Sequence, residues 1–456
     1  MSDVRAADGA QERGRRVVAI SNRVPPPSTE RAAGGLVAAV LPALEAEGGL
    51  WLGWSGSASD APGPRVREVR GSVEYVTLDL TPEQVRDYYE GFCNQTLWPL
   101  MHGFPDRASI NPAQYATWRA VNVRFAEALM AELQEDDLVW VHDYHFMPLG
   151  AELRARGWDG PLGYFHHIPI PLPEVWAQIP HESDIAASMR AYDLVGMQTH
   201  RDADRLRSYI EAATEDGVTP LVEGHPISID PARIRATAAR HPDDAFGSFR
   251  RGRRILLGVD RLDYTKGIPL RLEAFDRALH ADRTLGERVA MVQWAAPSRA
   301  GIPAYDAERA RSEELAADIA RLDEGAVQFE VATRAPEEVA ASMRDAEVCL
   351  VTSLSDGMNL VAKEYVALQP EADPGVLILS DGCGAVEELP EALVVPAGDV
   401  DATAEAITTA LAMPLEERRR RWAAMHRTVE ENDVHAWRVR FLEALAAAAA
   451  DRAAHG

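Results

Sequence analysis

The sequence predicts an α/β protein made of two Rossmann-like, doubly wound domains, with a ligand site in the cleft between them. At 456 residues the chain is long enough for two or three domains. Short apolar runs ending in Gly, Pro, Asp or His alternate with longer amphipathic stretches, the pattern of βαβ units on a parallel sheet. The runs fall into two series, separated by the polar, arginine-rich stretch Asp230–Arg254, where a domain boundary fits.

The first series places strands over Val17–Ser21, Val73–Leu78, Leu138–His142, Leu162–His166 and Leu194–Met197. The second places them over Ile255–Val259, Val289–Trp294, Val327–Val331, Val348–Thr352 and Val376–Ser380. The expected division is a polar, disordered leader over 1–14, an N-terminal domain over 15–229 and a C-terminal domain over 230–435. An Ala-rich helix over 436–456 is expected to dock back on the first domain. Ligands of open parallel sheets sit beyond the carboxyl ends of the strands, so the residues just after each run are where chemistry is sought.

Charge narrows the partners. Lys and Arg total 47 against 71 Asp and Glu, a formal net charge of -24, which repels an extended nucleic-acid backbone or an anionic membrane. Any anionic ligand must meet a local cluster of cations. Among the basic residues only Lys266 and Lys363 are lysines. In a chain that uses arginine almost everywhere, a remaining lysine points to a position that needs a compact point charge. Cys93, Cys349 and Cys383 are far apart and form no CxxC or metal-ligand pattern, which suits a reduced interior. There is neither an apolar signal segment nor a run of about 20 apolar residues, so the chain reads as soluble and cytoplasmic.

At the first strand end, Ser21-Asn22-Arg23 precede a Pro-rich turn, and Gly34-Gly35 open an apolar helix. The glycine pair serves either a tight turn or the approach of a phosphate to a helix N-terminus. No GxGxxG follows a strand and no GxxxxGK[ST] occurs, so dinucleotide and P-loop readings lose their support. His142-Asp143-Tyr144-His145 and His166-His167 lie at two further strand ends, without metal-site spacing. No metal is expected there. Asp143 and His167 suit a hydroxyl-rich ligand, with His142 and His166 packed on the sheet. Tyr88, Tyr89 and Trp98 read as core aromatics or as a sugar-binding wall, and pattern alone leans toward core.

The densest constellation is Gly258–Gly267, which puts Arg261 and Lys266 after a buried strand. They form either a surface ion-paired set or a diphosphate clamp, and the scarcity of lysine favours the clamp. After the strand Val348–Thr352, helical spacing sets Asp356, Leu360 and Glu364 in one row and Asn359 and Lys363 in the next. The two carboxylates suit hydroxyls of a sugar and of a ribose. Arg299, in Pro297-Ser298-Arg299, adds a cation near the cleft.

From about Val17 to Trp437 the chain carries SNR, AGGL, GLWLGWSG, YYEGFCNQTLWP, VWVHDYH, HHIPIP, DRLDYTKG, PSR and DGMNLVAKEY, in that order. In these motifs it resembles the trehalose 6-phosphate synthases, retaining glycosyltransferases of the glycosyltransferase-B fold. The resemblance implies transfer of glucose from a nucleoside-diphosphate glucose, UDP-glucose or GDP-glucose, to glucose 6-phosphate. It places the acceptor phosphate among Arg23, Tyr89, Trp98 and Arg299, acceptor hydroxyls on Asp143, and Trp54 as a wall. On the donor side it implies a diphosphate clamp of the Gly35 amide, Arg261 and Lys266. It gives glucose hydroxyls to His167 and Asp356, sugar and phosphate to the backbone of Met358, Asn359 and Leu360, and the ribose to Glu364. The catalytic set it implies is Asp143, His167, Arg261 and Lys266, reacting on one face of the sugar with no protein nucleophile, cofactor or metal.

Three positions depart from the family pattern. His166 stands for a leucine and Ser228 for a glycine, both outside the implied catalytic set. Arg334 stands near the place of an aromatic residue that frames the nucleobase, and a guanidinium could bond guanine O6 and N7, which makes a guanine donor a live expectation. Rival readings are a pseudo-glycosyltransferase, a glucosyltransferase acting on another phosphorylated acceptor, and a catalytically silent sugar-phosphate sensor. Asp143, Arg261 and Lys266 are all present, which favours an enzyme. The sequence leaves homo-oligomerisation open.

Overall fold

The structure, a computed structural model, describes residues 15–24, 35–61, 65–213, 219–299 and 302–455. The expected leader over 1–14 and Gly34 lie outside the described residues. The first sheet holds β1 (Val17–Arg23), β2 (Gly49–Ala58), β3 (Val66–Arg70), β4 (Val73–Leu80), β5 (Leu138–His142), β6 (Leu162–Phe165), β7 (Leu194–Met197) and β8 (Leu221–Gly224). Their order is β3-β4-β2-β1-β5-β6-β7-β8, parallel except for the β3–β4 pair. The second sheet holds β9 (Arg254–Arg261), β10 (Val289–Ala296), β11 (Val327–Val331), β12 (Val348–Val351), β13 (Val376–Ser380) and β14 (Leu393–Val395). It runs β11-β10-β9-β12-β13-β14, all parallel.

Each sheet reverses its strand order beside one central strand, between β1 and β5 in the first and between β9 and β12 in the second. A crevice opens at such a switch point, beyond the strand carboxyl ends. The central strands are buried on both faces, which is why they read as continuous apolar runs.

Four strands fall outside the expected runs, each for a physical reason. β2 carries Gly49, Gly53 and Gly56, and glycine weakens a strand signal. The room it leaves is used: a Cβ on Gly53 would stand 2.6 Å from the Ser21 carbonyl oxygen. β3 is an exposed antiparallel edge, three of its five residues arginine or glutamate. β8 and β14 are short strands at sheet edges.

The last helix, Val434–His455, lies against the first sheet through Trp437, Phe441 and Leu445, all 0% exposed and four residues apart. Phe441 stacks on Trp140 of β5 with centroids 4.7 Å apart, and Trp437 meets the same ring at 5.0 Å. Glycines on β6 and β7 admit the helix: a Cβ on Gly196 would stand 2.7 Å from the Phe441 ring, and one on Gly163 2.9 Å from Leu445. The Trp437 indole N–H donates to the His225 carbonyl (3.0 Å), and the Val434 N–H to that of Ile229 (2.8 Å). The two passages of chain between the sheets thus lie side by side. Because Phe441 fills space that two glycines leave open, Phe441→Ala is expected to lower stability by about 3–5 kcal/mol, read as a lower urea midpoint. A loss under about 1 kcal/mol would mean that the helix unfolds separately from the sheet.

Candidate active site

Strand register assembles the cleft. Arg23 ends β1 in register with Trp54 of β2, and its guanidinium lies 5.2 Å from the Trp54 ring. That approach depends on Gly56, at φ +91°, where a Cβ would stand 2.1 Å from Arg23 Nη2. The Trp54 indole N–H donates to the Ser57 carbonyl (2.7 Å), and its ring meets Tyr89 edge-on at 5.4 Å. Val85–Leu97 is π-helical, with the Trp98 N–H reaching the Cys93 carbonyl five residues back, a geometry frequent at functional sites. The neighbouring tyrosines separate. Tyr88 is core, its hydroxyl donating to Asn22 Oδ1 (2.7 Å), while half-buried Tyr89 faces Trp54 and stacks near His145. Trp98 is both buried and a wall: the Arg299 guanidinium lies 3.7 Å from its ring and that of Arg261 5.5 Å.

Register also explains why those two arginines converge. β9 pairs with β10 so that Arg261 stands opposite Ala296, three residues before Arg299. Between them lies Asp263, fully buried. Its Oδ2 accepts from Arg299 Nη1 (3.4 Å) and the Tyr305 hydroxyl (3.3 Å), with Arg261 Nη2 at 4.0 Å. Its Oδ1 accepts the Thr265 N–H (3.1 Å) and so caps the turn that carries Lys266. Burial pushes this carboxyl up, but Arg299 and Arg261 outweigh burial and hold it below its ordinary value.

Beneath the turn, fully buried Arg271 donates to Asp260, to Gln293 Oε1 (2.7 Å), to Thr352 Oγ1 (3.0 Å) and to the Lys266 carbonyl (3.3 Å). Asp263 and Arg271 escape a sequence reading because a buried ion looks like any surface Asp or Arg. Their only signal is position, since Asp263 stands two residues after Arg261 and Arg271 four after Gly267.

At the end of that turn Lys266 pairs with Asp356. Burial disfavours both charges, yet each favours the other more, so the Asp356 carboxyl is held below its usual value and the Lys266 ammonium above. The helix Leu360–Leu368 begins at Asn359, which adopts φ +73° and accepts the Val361 N–H on its Oδ1 (3.2 Å). Met358, next to it, is buried and accepts the Ala385 N–H on its carbonyl (2.9 Å). Half-buried Glu364 follows one turn on, and burial alone pushes its carboxyl up to about 7. Gly35 is the first residue of the helix Gly35–Glu47.

Asp143 adopts φ +76° at the end of β5 and accepts the His167 N–H on Oδ1 (3.2 Å). Burial raises its carboxyl to about 6 against the pull of the Tyr144 and His167 amides. His142 and His166 are fully buried on the sheet. Two expectations meet a different geometry. The His167 ring has both nitrogens engaged by protein, Nε2 with His142 Nδ1 (3.2 Å) and Nδ1 with Gln198 Nε2 (3.4 Å), so direct bonding to a sugar hydroxyl requires one of these to open. Arg334 lies 4.0 Å over Trp294 with Nη1 on Glu338 (2.6 Å) and Nη2 on Glu330. With both terminal nitrogens held by carboxylates, its guanidinium is not poised to read guanine O6 and N7.

Among the described residues no group of three or more His, Cys, Asp or Glu side chains could hold a metal, and no helix is long and apolar enough to cross a membrane.

Residues 19–447 match the model of glycosyltransferase family 20. A trehalose-6-phosphate synthase of Sinorhizobium fredii is 37% identical, the match covering 95% of this chain and 98% of that protein. The crystal structure of a UDP-forming alpha,alpha-trehalose-phosphate synthase from Burkholderia vietnamiensis superposes with a TM-score of 0.92 at 37% identity, covering 96% of this chain and 98% of that one. A UDP-forming enzyme from Burkholderia xenovorans in complex with glucose-6-phosphate gives a TM-score of 0.88 at 36% identity, covering 94% and 100%. With the motifs of the cleft, a full-length match and the same two-sheet fold, the chain belongs to glycosyltransferase family 20.

Proposed function

We propose that the protein transfers glucose from UDP-glucose to glucose 6-phosphate, with retention, giving α,α-trehalose 6-phosphate. The observation that carries this reading is a cleft in which Arg299 and Arg261 flank one tryptophan, Trp98, with Lys266 close by on the turn that Asp263 caps. Arg299, with Arg23, suits an acceptor phosphate, and Arg261 with Lys266 suits a donor diphosphate. The relatives named trehalose-6-phosphate synthase, one of them holding glucose-6-phosphate, support this choice of substrates.

The chemistry asked of these groups is stabilisation of a leaving group. As the bond from the anomeric carbon to the diphosphate oxygen breaks, negative charge grows on that oxygen, and Arg261 and Lys266 stabilise it in place. The acceptor hydroxyl forms the new bond on the same face and passes its proton to the departing oxygen. Retention by double displacement would need a carboxylate nucleophile at the anomeric carbon. We assign Asp143 instead to acceptor hydroxyls, Asp356 to glucose hydroxyls beside the lysine it faces, and Glu364 to the ribose. The backbone of residues 358–360 and the Gly35 amide complete the donor set in this reading, with Tyr89 and Trp54 walling the acceptor.

The reaction is tested by proton NMR of the product from UDP-glucose and glucose 6-phosphate, where an α,α-linked disaccharide phosphate is expected and any other linkage or acceptor contradicts the proposal. With Arg334 held by Glu330 and Glu338, UDP-glucose should exceed GDP-glucose in kcat/KM. A clear preference for GDP-glucose would return the guanine role to Arg334. Lys266→Ala should lower kcat about 100-fold or more with both substrates saturating, and an unchanged kcat would remove the lysine from leaving-group stabilisation. Glu364 accepts ribose hydroxyls best when ionised, so the KM for UDP-glucose should fall about tenfold between pH 6 and pH 8 as the carboxyl loses its proton near pH 7. Glu364→Gln should flatten that profile, and a flat wild-type profile would exclude the assignment.

A further inference from the structure

Lys363 has no role in the proposed transfer, yet it is one of two lysines in the chain and is 1% exposed. It sits on the helix Leu360–Leu368, one residue before Glu364. Its ammonium pairs with Glu388 and donates to the Ile227 carbonyl at 2.7 Å. Ile227 belongs to the first passage of chain between the sheets, just after β8. The other side of the same residue continues the connection: the Ile227 N–H donates to Gln198 Oε1 (3.0 Å).

That bond fixes the Gln198 amide, because an NH2 group facing the Ile227 N–H would oppose donor to donor. The NH2 must then face His167 Nδ1, 3.4 Å away, which leaves Nδ1 as an acceptor. A neutral imidazole accepting at Nδ1 carries its proton on Nε2, where it donates to His142 Nδ1 (3.2 Å). Every bond from Lys363 to His142 therefore runs in one direction. The Ile227 carbonyl and N–H belong to successive peptide groups, so the link from Lys363 to Gln198 is positional: the two side chains hold the Ile227 backbone from either end. Burial, which pushes the His167 imidazole well below its usual value, agrees with a neutral ring.

His167 is also where the two sides of the cleft meet. Its N–H is held by Asp143, and its carbonyl oxygen lies against Gly357, where a Cβ would stand only 2.1 Å away. Gly357 is flanked by Asp356 and Met358 of the donor side. We propose that Lys363 is a positioning residue for the transfer reaction: through the Ile227 backbone and Gln198 it fixes the His167 ring, and thereby the packing of Asp143 and of the Asp356–Met358 turn around His167. The compact ammonium fits this task, since it serves a carbonyl and a carboxylate inside the protein without the planar fork of arginine. This inference rests on the proposed glucosyl transfer, and it adds a residue that touches neither substrate.

The test is a double-mutant cycle between Lys363 and Gln198, whose side chains both hydrogen-bond the Ile227 backbone. Lys363→Met is paired with Glu388→Gln in one variant so that no unpaired charge is buried, and Gln198→Leu is the second. Each is expected to lower kcat by between about tenfold and a hundredfold, with both KM values close to wild type and with the far-UV spectrum and melting transition retained. Combined, they should lower kcat no further than the worse of the two, as members of one chain do. Losses that multiply, or a wild-type kcat in the Lys363→Met/Glu388→Gln variant, would overturn the proposal. In parallel, nitrogen-15 shifts of histidine-labelled wild-type protein should place the His167 proton on Nε2, and a proton on Nδ1 would also overturn it. If the wild type makes no trehalose phosphate, the functional reading fails while the shifts still decide the relay.

Discussion

A single buried carboxylate, Asp263, sets the electrostatics of the cleft. Arginines that converge on one small site repel each other, and the repulsion grows as water is excluded. Asp263 makes the arrangement tenable: one oxygen gathers Arg299, Arg261 and the Tyr305 hydroxyl, and the other caps the turn that presents Lys266. Cations proposed for both substrates are thus held in place before either substrate arrives, which is what electrostatic preorganisation requires. The formal charge of -24 says nothing about this local field. In this acidic protein one buried carboxylate fixes two arginines in position, and the cluster so formed is what the proposal offers to phosphates.

The two sheets explain why such a node can exist. Each brings a central strand to a switch point, where the His167 carbonyl meets Gly357 and the Arg261 and Arg299 guanidinium groups lie over Trp98. The sheets are tied on the side where the chain passes between them, by the last helix on β5 to β7 and by the peptide around Ile227. Both lysines belong to this economy. Each pairs with a partly buried carboxylate of the second domain, Lys266 with Asp356 and Lys363 with Glu388, beside the residues proposed to hold the donor.

Much of this was legible in the sequence. The strands that position the site are buried on both faces and announce themselves as apolar runs, so β1, β5, β9 and β12 and the residues after them were found directly. β2 was not, because its glycines, which let Arg23 and Ser21 approach, erase the pattern of a strand. The aromatic segment was ambiguous for a good reason: Tyr88 and Tyr89 are adjacent, yet one is core and the other faces the cleft. What no pattern could disclose were the partners. That the His167 nitrogens are engaged by His142 and Gln198, that Arg334 is held by two glutamates, and that Asp263 lies under two arginines depends on contacts between segments distant in sequence.

The central claim is that Asp263 holds Arg261 and Arg299 in position for substrate phosphates and that Lys266 leaves Asp356 for the diphosphate. A crystal structure with UDP and glucose 6-phosphate bound tests it most directly. The account predicts that the acceptor phosphate lies on Arg23 and Arg299, that the diphosphate lies on Arg261 and Lys266, and that Lys266 has moved off Asp356 to reach it. A structure in which both phosphates are bound while Lys266 remains on Asp356 and Arg299 contacts neither phosphate would contradict it.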